Sequence, residues 1–112
     1  MIRIYHNNRC SKSRATLALL EGRDVEVVND LDAPPDAAEL KRLLKLLGIP
    51  ARQLLRSGEA VFKELGLADP VLDDEALVAA MVAHPILIER PIVVANGKAA
   101  IGRPPEAVLA IL

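Results

Sequence analysis

The sequence predicts an α/β fold: a four-stranded mixed sheet laid down as βαβ and then ββα, with a helical insertion over about 36–84 between the two halves. Three observations predict it. The start of the chain changes from a two-residue to a helical period and back to a β-rich run. The middle carries leucines at helical spacing, and two short β-rich runs near the end meet at Asn96-Gly97.

Ile2 and Ile4 alternate with Arg3 before a polar stretch, which predicts a short strand with one face in a core and a loop from His6 to Arg9. From Ser11 the period becomes helical. Ala15, Leu17, Ala18 and Leu20 form the expected apolar stripe, and Gly22 stands where helices commonly stop. Val25–Val28 is the next strand, and a strand, helix, strand order with so short a crossover predicts a parallel pair. After a loop from Asp30 to Pro35, Leu40, Leu43, Leu44 and Leu47 fall at i, i+3, i+4 and i+7 before Gly48, an amphipathic helix. Pro50 opens a short helix through Leu55, and Ala60–Leu65 forms another. Asp73, with Asp74 and Glu75 behind it, caps a longer helix that runs to His84 and is broken by Pro85. Ile92–Ala95, Asn96-Gly97 and Lys98–Ile101 read as a β-hairpin, and Pro104 opens a short final helix. No repeat, low-complexity segment or linker interrupts the 112 residues, so one domain over 1–112 is expected.

Composition excludes several function classes. The hydrophobic fraction of 52% suffices for a buried core. Fourteen Lys and Arg against fifteen Asp and Glu leave a net charge of −1, without the broad positive field of nucleic-acid binders. Tyr5 and Phe62 are too few to make a base-stacking platform. One cysteine, Cys10, allows no intrachain disulfide. With no signal-like or membrane-spanning apolar run, the expectation is a cytoplasmic protein that uses neither membrane nor nucleic acid.

Cys10 is the first candidate for chemistry. It sits at a strand-to-helix junction with Arg9, Lys12 and Arg14 close in sequence, and a helix N-terminus with cationic neighbours favours the thiolate. The plain alternative is an inert cysteine packed as a small hydrophobe. The second candidate comes from register: a two-residue turn at Asn96-Gly97 pairs Ala95 with Lys98 and, continued outward, sets Arg90 opposite Arg103. Two like charges there need solvent or an anion between them, and an oxyanion is the favoured reading. Arg56, beside Ser57-Gly58, is a further guanidinium that spacing alone does not place. His6, four residues before Cys10, either tunes the thiolate loop or merely packs it, and His84 reads as a helix C-terminal residue. One cysteine and two distant histidines offer no metal-ligand spacing, and neither a Gly-rich phosphate loop nor a Gly-x-Ser-x-Gly elbow is present.

Ile4-Tyr5-His6-Asn7-Asn8-Arg9-Cys10-Ser11-Lys12-Ser13-Arg14, Leu54-Leu55-Arg56, His84-Pro85-Ile86-Leu87-Ile88-Glu89-Arg90-Pro91-Ile92-Val93-Val94 and Gly102-Arg103-Pro104-Pro105 together resemble the ArsC family of glutaredoxin-coupled arsenate reductases. The likeness spans nearly the whole chain in order, with two departures: Asn8 stands where the family usually has proline, and the sequence stops at Leu112 where established arsenate reductases continue further. The resemblance implies a thioredoxin-like fold with Cys10 as nucleophile, His6 and Ser13 assisting the thiolate, and Arg56, Arg90 and Arg103 holding the oxyanion. Pro91 looks like the cis-proline that such folds place beside the active cysteine. The implied reaction is arsenate reduction with glutathione as co-substrate and glutaredoxin as partner, and with no bound cofactor. A chain with one thiol has no internal resolving group, so an external thiol must complete the cycle. Two other readings keep the same fold. One is a glutathione-dependent thiol oxidoreductase acting on a substrate other than arsenate. The other is an Spx-like regulator binding RNA polymerase, although Cys10-Ser11-Lys12-Ser13 has serine where those regulators carry their second cysteine.

Overall fold

In the computed structural model, which describes residues 2–7, 9–29 and 31–112, the chain divides into two compact units. The first combines the N-terminal residues up to Ala33 with Arg90–Leu112, and the second is Pro34–Glu89. Asn8, the first departure from the family pattern, lies outside the described residues, as does Asp30 at the head of the expected loop.

The first unit is a four-stranded sheet of order β2-β1-β3-β4, formed by β1 (Ile2–His6), β2 (Val25–Asn29), β3 (Ile92–Ala95) and β4 (Lys98–Ile101). β1 runs parallel to β2 and antiparallel to β3, and β3 is antiparallel to β4, which makes the sheet mixed. At the hairpin Asn96 and Gly97 have φ of 55° and 72°. Positive φ at both central residues is the type I′ geometry that matches strand twist. Ile92 consequently pairs with Ile101, Val93 with Ala100, Val94 with Ala99 and Ala95 with Lys98, in the register that the turn predicts.

Two local expectations are corrected and a third is refined. β1 continues through His6, which pairs with Asn29, so His6 belongs to the sheet and not to the following loop. α1 (Ser11–Leu19) does not bury the stripe of Ala15, Leu17, Ala18 and Leu20. It turns Ser13, Thr16 and Leu20 inward with Leu17 half-buried, and leaves Ala15 and Ala18 exposed. Those inward positions are themselves i, i+3, i+4 and i+7, so the period is right and the phase turns two hydroxyls inward, Ser13 bonded to Asn7 and His6 and Thr16 to the Lys12 carbonyl of its own helix. The final helix, Pro105–Ile111, is a 3₁₀ helix with Pro104 as its cap, and its bonds run from residue i+3 back to i, as from Ala107 to Pro104. Ile4, Leu20, Val93 and Val108 form the core between this sheet and its helices.

The second unit holds α2 (Ala37–Leu47), α3 (Ala51–Leu54), α4 (Ala60–Glu64), α5 (Asp74–Ala83) and a 3₁₀ turn, Pro85–Leu87. Asp36 and Asp73 cap α2 and α5 by accepting from the backbone N–H of Glu39 and Ala76, both at 2.9 Å. Gly48, at φ 68°, closes α2 in the left-handed conformation. α5 packs against α2, α3 and the 3₁₀ turn, with Leu40, Leu43, Leu54, Leu77, Met81 and Leu87 buried. Among the described residues no helix is long and apolar enough to cross a membrane.

Candidate active site

Cys10 is the N-cap of α1, half-buried in extended backbone, and its carbonyl accepts the first helical bond from Arg14 N–H at 3.0 Å. The loop that presents it is tied internally by Asn7. Asn7 Oδ1 accepts from Arg9 N–H at 2.9 Å, its carbonyl accepts from Cys10 N–H at 3.0 Å, and its own N–H donates to Ser13 Oγ at 3.0 Å. Ser13 Oγ also shares a 2.6 Å hydrogen bond with His6 Nδ1, in a direction set by the histidine tautomer. Ser13 is fully buried and His6 almost so, which makes each of these bonds costly to leave unmade, at about 1–3 kcal/mol for an orphaned neutral partner. His6 is therefore joined to the cysteine loop through Ser13 and Asn7.

The opposing wall comes from the far end of the chain. Arg103 Nη2 lies 3.4 Å from Cys10 Sγ, and Arg103 Nε donates to the Arg90 carbonyl at 2.9 Å. Arg103 N–H turns back to Ile101 O at 2.9 Å; with Gly102 N–H on Pro91 O, the next pair outward is a non-hydrogen-bonded one, so the bond from the Arg103 side chain to the Arg90 carbonyl is additional to the ladder. The guanidinium is thus held at Nε and presents another edge to the sulfur, in the fixed fork that suits a planar cation to anion recognition. The contact between Arg90 and Arg103 is this side chain to carbonyl bond, whereas hairpin register alone predicts two guanidiniums face to face. Arg90 itself is 5% exposed and Arg103 is exposed. Pro91, preceded by a cis peptide, is buried, and its carbonyl accepts from Gly102 N–H at 2.9 Å. The Arg103–Pro104 peptide is also cis.

A cysteine at a helix N-terminus faced by an arginine, on a thioredoxin-like sheet, sits in a chain whose residues 5–111 match the model of the ArsC family. The chain belongs to the ArsC family. It is 60% identical over 114 residues to the uncharacterized protein YfgD of Escherichia coli (strain K12), covering 99% of this chain and 96% of that protein. It is 55% identical to the arsenate reductase of Neisseria meningitidis serogroup B (strain ATCC BAA-335 / MC58), over 99% of this chain and 97% of that one. The solved arsenate reductase from Vibrio cholerae matches with a TM-score of 0.96 at 55% identity, covering 99% and 97% of the two chains.

Within this ArsC chain the remaining sequence candidate, Arg56, lies in the second unit. Its N–H donates to Leu87 O at 2.7 Å beside the Leu55–Ile88 bridge, and its side chain is flanked by Glu59 at 3.5 Å and Glu89 at 3.7 Å. Those separations leave Nη1 buried without a hydrogen bond among the described residues. The first unit brings together Cys10, His6, Ser13, Arg103, Pro91 and the Arg90 carbonyl.

Three residues escaped the sequence reading. Asn7 was readable in principle, since an asparagine whose side chain bonds the N–H two residues on is a standard Asx turn. Thr16, whose hydroxyl donates to Lys12 O at 2.8 Å, and Gly102 carry no such local signal. A cavity of about 470 Å³ runs along the flank of α1 between Arg14 and Val25, with His6 in its lining but neither Cys10 nor Arg103.

Proposed function

We propose that this protein is an arsenate reductase that draws its electrons from external thiols. The observation that carries the reading is the 3.4 Å approach of the Arg103 guanidinium to Cys10 Sγ at the start of α1. A cation and a helix N-terminus each favour the thiolate over the thiol, and the exposed face of the guanidinium remains suited to a tetrahedral oxyanion. The names of the relatives supply arsenate as the substrate class.

In the proposed reaction the Cys10 thiolate attacks As(V) and displaces one oxygen as water, giving a cysteinyl–arsenic bond. The thiolate of glutathione then attacks Cys10 Sγ. The sulfur–arsenic bond breaks with its electron pair moving to arsenic, arsenite leaves as As(III), and Cys10 is left in a mixed disulfide with glutathione. Two thiols have lost one electron each and arsenic has gained two. A glutaredoxin thiol takes the glutathionyl group and returns Cys10 to its reduced form. Arg103 steadies the oxyanion and the charge that builds on it, His6 and Ser13 hold the loop that aims the sulfur, and Arg90 contributes the carbonyl that orients Arg103. Arg56 enters this proposal on the likeness of Leu54-Leu55-Arg56 to the family pattern. Buried Ser13, bonded to His6 and Asn7, occupies the place of an Spx-type second cysteine and supports catalysis over a dithiol switch.

The test is turnover of arsenate by the purified chain with glutathione, glutaredoxin and a recycling system. Cys10→Ser should reduce it to background, because a serine hydroxyl is not ionised at neutral pH. Arg103→Ala should lower kcat/KM about 10²-fold with the fold intact. Background rates with the unaltered protein would overturn the arsenate assignment.

A further inference from the structure

Gly102 differs from the other glycines. Gly22, Gly48, Gly66 and Gly97 have positive φ and open space where a Cβ would be, the usual reason for glycine in turns. Gly102 is instead buried and crowded. A Cβ there would meet Thr16 Oγ1 inside contact distance, Pro91 Cγ at 2.7 Å and Thr16 Cγ2 at 3.2 Å. The missing side chain is the space into which α1 settles.

That contact lies between the two walls of the site. Thr16 is on α1, whose N-cap is Cys10, and Gly102 is bonded through its N–H to Pro91 and is followed directly by Arg103. We propose that Gly102 is a positioning residue: by lacking a Cβ it lets α1 close onto the β3–β4 end at Thr16, and this closeness keeps the Arg103 guanidinium within reach of Cys10 Sγ. The inference rests on the reading of Cys10 as an ionised nucleophile. An added methyl must push Pro91 Cγ from 2.7 Å toward the usual carbon–carbon separation of about 3.5 Å or more, and must push Thr16 further still. The arginine–sulfur contact, at 3.4 Å, passes out of hydrogen-bonding range if the two sides part by most of an ångström, about the movement this crowding demands.

The experiment is the pH profile of Cys10 alkylation by iodoacetamide in the full chain, read beside circular dichroism. Gly102→Ala should shift the profile toward higher pH by up to about one unit, which lowers the rate at pH ~6.5 by up to about tenfold and leaves the rate near pH ~9.5 unchanged. Thr16→Ala combined with Gly102→Ala should recover part of the loss, because it removes both Thr16 atoms from the crowded contact and leaves only Pro91 Cγ. In an Arg103→Ala background Gly102→Ala should add no further shift, since the contact it disturbs is already gone. A folded Gly102→Ala protein with an unaltered profile overturns the proposal, as does a shift that persists in full without Arg103 or in the double variant with Thr16→Ala. If Gly102→Ala does not fold, Thr16→Ile crowds the same contact from the helix side and is read by its own profile and by its loss of effect in the Arg103→Ala background. Alkylation needs no arsenate, so failure of arsenate turnover and failure of this inference are separate results.

Discussion

α1 and α2 present inward faces with the same spacing and opposite chemistry. α2 buries Leu40, Leu43 and Leu44 in a leucine stripe, capped at one end by Asp36 and closed at the other by Gly48. α1 buries Ser13 and Thr16 on the face it shares with Leu20, and both hydroxyls are spent on hydrogen bonds, Ser13 with Asn7 and His6, Thr16 with Lys12. The difference shows which helix serves the fold and which serves the site. A leucine face gains from leaving water in proportion to its area and specifies little about what it touches. A hydroxyl face gains little by leaving water and requires particular partners at particular distances, which is what aiming a sulfur atom demands.

Substitutions on the two faces should separate these roles. Leu43→Ala should have the largest effect on stability, about 2–5 kcal/mol, since it opens a cavity at a fully buried position; thermal or denaturant unfolding checks it. Ser13→Ala should cost less, about 1–3 kcal/mol for the partners it strands, yet should lower arsenate turnover far more than that loss of stability would suggest; paired unfolding and kinetic measurements decide this. If Ser13→Ala were as active as the unaltered protein, the contrast between the helices would reduce to one of packing. Asp36→Ala, which removes the α2 cap, should destabilise by about 1 kcal/mol and leave the alkylation profile of Cys10 unchanged.

The same contrast explains what was readable. Leucine spacing and the stop at Gly48 placed the body and end of α2, and the Asp73 cap placed α5 within a residue, because these signals act through the local chain. Hydrophobic spacing misjudged α1 because a hydropathy pattern counts Ser13 and Thr16 as outward, and their partners are invisible to it. Register from Asn96-Gly97 was legible to the residue, since two positive φ angles dictate the pairing of both strands. Continued past the last ladder pair it misdescribed Arg90 and Arg103, where the Arg103 side chain donates to the Arg90 carbonyl instead of facing a second guanidinium.

Local interactions along the amino-acid order thus determined the elements, the hairpin register and the placing of Cys10 at a helix start, because each depends on residues a few positions apart. Tertiary structure alone decided that Arg103 reaches the sulfur across 93 positions of the chain, and that Gly102 must be bare where Thr16 approaches. Contacts between residues so distant in sequence arise only when the sheet and its helices are packed, and no periodicity or propensity records which side chains will then meet.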